Sequence, residues 1–262
     1  MSRTVCLVTA RMASARCPGK ALQELLPGEP LLAVLLKRMR TSGAVDEVSL
    51  ATSVNPDNDA IADLGRSLGV RVFRGDEDDV LKRHVDAARE FAADHVVRVT
   101  GDNPLTDVGT LDALVKAHHE HHADYTYVPG EALLMGILAE VISRDALERS
   151  WNQGEAKHRS ELVTLYIKEH PTEFKIAMRD LDPELLRPTY RLTVDHPEDI
   201  RLQCLIFKTL DHGPLVETRE AIALLDTRPD LVAINAHLTH KSVNHRSVEL
   251  DAMVKAARAK KS

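Results

Sequence analysis

Through the first 125 residues, short apolar runs alternate with longer segments of helical periodicity, and this rhythm leaves few folds open. Residues 5–10, 48–52, 70–73 and 95–100 (HVVRVT) have the length and apolar content of buried strands. Between them, residues 30–40, 57–68, 79–93 and 107–118 read as helices; in the second, Ile61, Leu64 and Leu68 share one face. Strand and helix in strict turn predict an α/β chain: a mainly parallel sheet covered on both faces. Ligands of such sheets bind outside the carboxyl ends of the strands. The loops after Ala10, Thr52, Phe73 and Thr100 are therefore where a site is expected.

The rhythm breaks after residue 125. Residues 125–128 and 137–142 read as strands around a Gly-containing loop, and 144–151 and 155–169 as helices. Residues 174–178 and 190–194 look like two more strands. The remainder reads as helix, interrupted at Gly213-Pro214 and Pro229, and the last dozen residues as a solvated, fraying end. With 262 residues, 44% of them hydrophobic, the chain can bury the core of one large domain, 1–262, with 125–170 as an insertion.

Charge and cysteine usage narrow the function classes. A formal net charge of −6 argues against a nucleic-acid coat, which needs a broad basic face. Cys6, Cys17 and Cys204 lack metal-ligand or disulfide spacing and read as reduced thiols. No run approaches the roughly 18 apolar residues of a membrane span, and the apolar run within the opening MSRTVCLVTARM is shorter than a secretory core. A cytosolic protein without membrane or nucleic-acid partners is expected. His118, His119, His121 and His122 crowd one helix end; a solvated polar end is the plainer reading and a metal cluster the sharper one. Trp151, the single tryptophan, reads as a core or dimer-interface anchor rather than a stacking platform.

The loop after the first strand carries the chemistry. Residues 10–20 hold Arg11, Arg16 and Lys20 and no acid. Arg offers a fork of donors to phosphate and Lys a point charge, while Ser14 and Gly19 let the backbone come close. On charge alone, a solvated basic loop is the plainer reading. Neither the Walker pattern GxxxxGK nor GxGxxG is present.

As a string, ARMASARCPGKAL resembles the signature loop of the cytidylyltransferases that make CMP-activated sugar acids, and most of all the loop of the spore-coat polysaccharide biosynthesis branch. Only Ala13, Ala15 and Cys17 fall at that pattern's freer positions. Three more segments are similar in the same order. Phe73-Arg74-Gly75 with Asp78 to Arg83 resembles FRG…DVLxR, residues 97–105 contain GDxPL, and residues 191–199 match RxTxDxPED. Read as bare residues, Asp79 suits a helix cap, and Arg83 a ribose or phosphate contact or an ordinary salt bridge. Asp102 and Asp195 each follow a strand, where a carboxylate can hold Mg²⁺ or simply close a turn. Pro197 suits a first helical turn, and Glu198 and Asp199 its positive end, as structural acids.

The resemblance implies a nucleotide-diphospho-sugar transferase-like (Rossmann-like) three-layer sandwich with a mixed, mainly parallel sheet. It implies transfer of CMP from CTP to a small acceptor with loss of pyrophosphate. The catalytic set is then Arg11, Arg16, Lys20 and Asp102. Nucleotide binding falls to Ala10, Arg11, Ser14, Gly19, Lys20, Arg74, Arg83, Thr100 and Asp102, and Mg²⁺ to Asp102 and Asp195. Gly136, Glu140 and Glu161 fall on the acceptor side, and 125–170 on a homodimer contact. Two departures lie on that side: the family's Pro-x-Gly turn has lost its Pro before Gly136, and its R-E-H-V-T-P-Y helix here reads SELVTLY, with His158 and Arg159 just upstream. These changes widen the acceptor from a sugar acid to a phosphate- or phosphonate-bearing compound. Two other readings compete: a glycosyltransferase, whose Asp-x-Asp would have to come from residues 76–79, and a nucleotide-binding homologue without turnover.

Overall fold

The computed structural model describes residues 2–14, 16–130, 134–238 and 245–259; Ala15 of the basic loop and residues 260–262 of the tail lie outside them. In chain order the first half contains β1 (Thr4–Thr9), a hairpin of β2 (Glu24–Leu26) and β3 (Glu29–Pro30), α1 (Leu31–Met39), β4 (Glu47–Ser53), α2 (Asp59–Ser67), β5 (Arg71–Gly75), α3 (Val80–Glu90), β6 (His95–Thr100) and α4 (Val108–Glu120). The second half contains β7 (Tyr125–Tyr127), β8 (Glu140–Ser143), α5 (Arg144–Gln153), α6 (Leu165–Glu169), β9 (Ile176–Met178), α7 (Pro197–Leu210), α8 (Thr218–Thr227), α9 (Pro229–Val232) and α10 (His245–Ala259).

Among the described residues, seven strands form one sheet in the order β5-β4-β1-β6-β8-β7-β9. β4, β1 and β6 pair in parallel, with Val5 opposite Glu47 and Val96, and β5 adds in parallel at one edge. β8 runs against its neighbours β6 and β7, and β9 returns parallel to β7. Alternation along β1 builds both faces of the core. Cys6 and Val8 join Leu50, Val97 and Val99 beneath α1, α4 and α7, while Val5 and Leu7 join Ala51 and Val96 beneath α3, α5 and α6. The expected sandwich is thus the observed one.

Four local expectations are corrected. Residues 155–169 do not make one helix. A short turn at Ala156–Arg159 closes on itself through Glu155 N–H donating to His158 Nδ1 (2.8 Å), and Arg98 captures the Glu161 carbonyl (3.1 Å) that a continuing helix would need. Residues 190–194 contribute one bridge, Arg191 to Met135, rather than a strand, because side chains take their carbonyls: Asn235 donates to Arg191 O (3.0 Å) and Gln203 to Leu192 O (2.6 Å). The tail is docked in part, with Asp251 and Val254 of α10 buried and Asp251 accepting from the Tyr127 hydroxyl (2.8 Å). The fourth correction concerns the histidines. His121 and His122 are exposed, but His118 is fully buried, facing His95 (Nε2 to Nδ1, 2.9 Å) and Thr126 (2.9 Å), with His119 on Thr4 (3.0 Å). Among the described residues no group of three potential ligands can hold a metal ion, and no helix is long and apolar enough to cross a membrane.

This cluster makes stability depend on pH. Burial, reinforced by His95 and His119, pushes His118 down to about 3, and burial followed by His119 lowers His95. The unfolded chain therefore takes up protons first as pH falls below about 6.5. Stability is complete above that value and erodes below it, by about 2 kcal/mol at pH 5 for His118 alone. Denaturant midpoints at pH 7.5 and 5.0 should separate less in His118→Gln than in the parent. Equal separations would remove His118 from the acid response.

Candidate active site

A cavity of about 460 Å³ opens at the carboxyl ends of β1 and β6. Its wall contains Ala10, Arg11, Ser14, Arg16 and Lys20 from the loop after β1, Thr100 at the end of β6, and Gly101 and Asp102 from the turn after it. Arg83 of α3, Arg98 of β6, Glu161 and Asp195 complete its charged lining. The two loops meet because Gly101 N–H donates to Thr9 O at 2.7 Å. A Cβ at position 101 would lie 2.7 Å from that same oxygen, so the approach requires glycine. The basic loop is folded back by Gly19 N–H on Met12 O (3.2 Å), and Gly19 takes a left-handed φ of +69° before Lys20.

Lys20 sits at the centre. Its Nζ donates to Asp102 Oδ2 (2.9 Å), Asp195 Oδ1 (3.2 Å) and the Val194 carbonyl (2.6 Å). Burial works against this ammonium, but Asp102 and then Asp195 outweigh it and hold its pKa above the ordinary value. Asp195 shows the complement. Burial would raise its pKa, yet Lys20, Arg191 and Arg16 hold it below the usual carboxylate range. Arg16 reaches Asp195 Oδ1 at 3.0 Å from a side chain that is 60% exposed.

A second layer aims Asp195. Arg191 binds Asp195 Oδ2 (2.8 Å) and both oxygens of the buried Asp199 (3.0 and 3.1 Å). Asp199 also accepts the N–H groups of Asp195 and His196 (2.9 Å each) and the Asn235 amide (2.8 Å). It is the structural acid at the start of α7 that its place beside Pro197 predicted. Asp79 likewise caps α3 through Lys82 N–H (2.8 Å), and Trp151 donates to its other oxygen (2.9 Å), pinning α5 to that cap.

Placement separates the expected site residues. Ala10, Arg11, Ser14, Arg16, Lys20, Arg83, Thr100, Asp102, Glu161 and Asp195 share the cavity wall, and Arg11 is ion-paired to Glu161. Arg83 spends its guanidinium on the carbonyls of Asp76 and Glu77 (2.8 Å each), so it shapes that turn rather than forming a salt bridge. Among the described residues the wall does not include Gly19, Arg74, Gly136 or Glu140. Arg74 turns to Asp59 (2.6 Å) and the Ser53 carbonyl (2.9 Å). Gly136 packs on the backbone of Leu192 and Thr193. Glu140 is half-buried beneath the wall, where Arg98 (2.8 Å), Tyr125 and Thr164 (3.2 Å) bind it. Burial would raise its pKa, but Arg98 and then Lys168 keep it low, so it is an anion that orients Arg98. Arg98 itself was missed. The available signal was a lone cation inside the otherwise apolar HVVRVT strand, two residues before Thr100.

Comparison with known proteins places the chain in a family. Residues 5–226 match a protein-family model described as cytidylyltransferase. The chain is 36% identical over 243 residues to an uncharacterized protein of Methanocaldococcus jannaschii, covering 93% of this chain and 98% of that one. It is 34% identical over 235 residues to the spore coat polysaccharide biosynthesis protein SpsF of Bacillus subtilis, covering 88% and 97%. The solved structure of a cytidylyltransferase from Leptospira borgpetersenii superposes with a TM-score of 0.81 at 24% identity, covering 88% of this chain and 97% of that one, and so shares its fold.

Proposed function

Because the chain belongs to the cytidylyltransferase family, we propose that its cavity transfers CMP from CTP to a small acceptor and releases pyrophosphate. One observation carries this reading: a loop with three cations and two carboxylates from distant segments converge on one cavity at the carboxyl end of the sheet. Arg11, Arg16 and Lys20 bind the triphosphate, and Ala10 and Thr100 lie against the nucleoside. An acceptor hydroxyl attacks the α-phosphorus, and the bond to pyrophosphate breaks in line. Arg16 and Lys20 stabilise the charge that develops on the leaving group.

The donor set suits Mg²⁺. Asp102 and Asp195 already converge on one cation, the Lys20 ammonium, and Mg²⁺ is commonly held by one or two carboxylates plus substrate phosphates. Held by these two acids, it would neutralise phosphate charge and raise the acidity of the attacking hydroxyl. The acceptor is a sugar acid or a phosphate- or phosphonate-bearing compound, met by Glu161 and by Arg98, which Glu140 orients. The segment 125–170 supplies both the acceptor side and a homodimer contact.

The test is pyrophosphate release with Mg²⁺, each of the four nucleoside triphosphates, and a panel of sugar acids, sugar phosphates, polyol phosphates and phosphonates. Release that requires CTP and one acceptor class is expected. A protein that neither binds CTP in calorimetry nor releases pyrophosphate would overturn the assignment. Arg16→Ala should raise the KM for CTP about tenfold, the worth of one charge-assisted phosphate contact. An unchanged KM would return the loop to a solvated patch.

A further inference from the structure

The cations of this cavity are already partnered. Lys20 lies between Asp102 and Asp195, Arg16 is on Asp195, and Arg11 is on Glu161. Lys20 is the extreme case. An ammonium has three N–H donors, and three acceptors at 2.9, 3.2 and 2.6 Å surround this one. Its side chain is 14% exposed. No donor is left for a phosphate, so Lys20 can serve a triphosphate only by giving up a partner.

We propose that Lys20 stands in for the divalent cation in the nucleotide-free protein, and that metal and CTP enter together by exchange of partners. The ammonium moves to the phosphates as the metal takes the two carboxylates. This rests on the reading of the cavity as a CTP site.

Charge explains why neither ligand enters well alone. A free divalent ion must reach two carboxylates whose charge Lys20, Arg16 and Arg191 already offset. A bare triphosphate that draws Lys20 away leaves two acids facing each other, and facing the phosphates, in a half-buried place. Together each ligand supplies what the other removes. The structure thus builds a coupling between metal and nucleotide into one side chain, and such coupling is reciprocal.

The experiment is a Mn²⁺ titration of the full chain followed by electron paramagnetic resonance, with and without saturating CTP and with no acceptor present. In the parent protein CTP should tighten Mn²⁺ at least tenfold. In Lys20→Met the nucleotide-free protein should bind Mn²⁺ at least tenfold more tightly than the parent, and CTP should add much less. Adding Asp102→Asn to Lys20→Met should abolish the gain, which ties it to this carboxylate pair. Lys20→Gln, which keeps a donor for Asp102, serves if the Met variant does not fold. Equal nucleotide-free Mn²⁺ affinities in parent and variants, with CTP still bound, would overturn the exchange while leaving the CTP site standing. Absence of CTP binding in the parent would instead overturn the site, and the exchange with it.

Discussion

Asp102→Asn is expected to lower kcat for pyrophosphate release by about 10²–10³-fold, the scale of removing one charged contact to the reacting centre. The substitution keeps shape and discards charge. The turn that carries Asp102 is held by its backbone, with Val194 N–H donating to the Asp102 carbonyl at 2.9 Å and Gly101 N–H to Thr9 O at 2.7 Å. Neither bond involves the carboxylate. Thermal unfolding should therefore change little, and the loss should lie in turnover. Asp102 is also one of the two carboxylates that hold Lys20. Near-parental turnover would show that this acid does no more than hold Lys20.

Gly136→Ala should lower stability by about 3–5 kcal/mol and turnover with it. A Cβ at this position would lie 2.2 Å from Thr193 N and 2.5 Å from Leu192 C, at a φ of +95° that side chains rarely adopt. Both obstacles are backbone and cannot swing aside. The strand-like contact here is the bridge from Met135 to Arg191, with Leu192 N–H on Met135 O at 2.9 Å. Pushing it apart moves the segment that aims Asp195. Gly28→Ala is the control: its φ is +72° but nothing lies within 4 Å, so only about 1 kcal/mol of backbone strain is expected. Equal melting temperatures for the two variants would contradict this account.

The two halves of the chain were unequally legible. β1, β4, β5 and β6 fall within about two residues of their expected ranges, because a buried parallel strand must be an apolar run whatever surrounds it. The cavity follows from where those strands end, and Asp102 and Asp195 follow from the similarity of their motifs. Residues 160–164 and 190–194 were not legible. Their carbonyls are satisfied by Arg98, Gln203 and Asn235, and local periodicity carries no trace of such distant donors. The burial of His118 was hidden for a related reason: its polarity suggests solvent, but His95 and Thr126 satisfy both ring nitrogens inside the core. Glu140 shows the limit of resemblance. The motif placed a residue near the acceptor side, and only the packing showed that Arg98 stands between it and the cavity.

The Lys20 bridge also bears on how the chain reaches its active form. Its contact with Asp195 spans 175 positions, whereas Asp102, 82 positions away, is already brought near by the pairing of β1 with β6. Non-local closures of this kind are formed slowly relative to the strand–helix units they connect. A refolding chain should therefore assemble the sheet of its first hundred residues before it can hold a nucleotide. Competence to bind CTP, followed in time, reports the docking of residues 191–199 rather than the formation of the sheet.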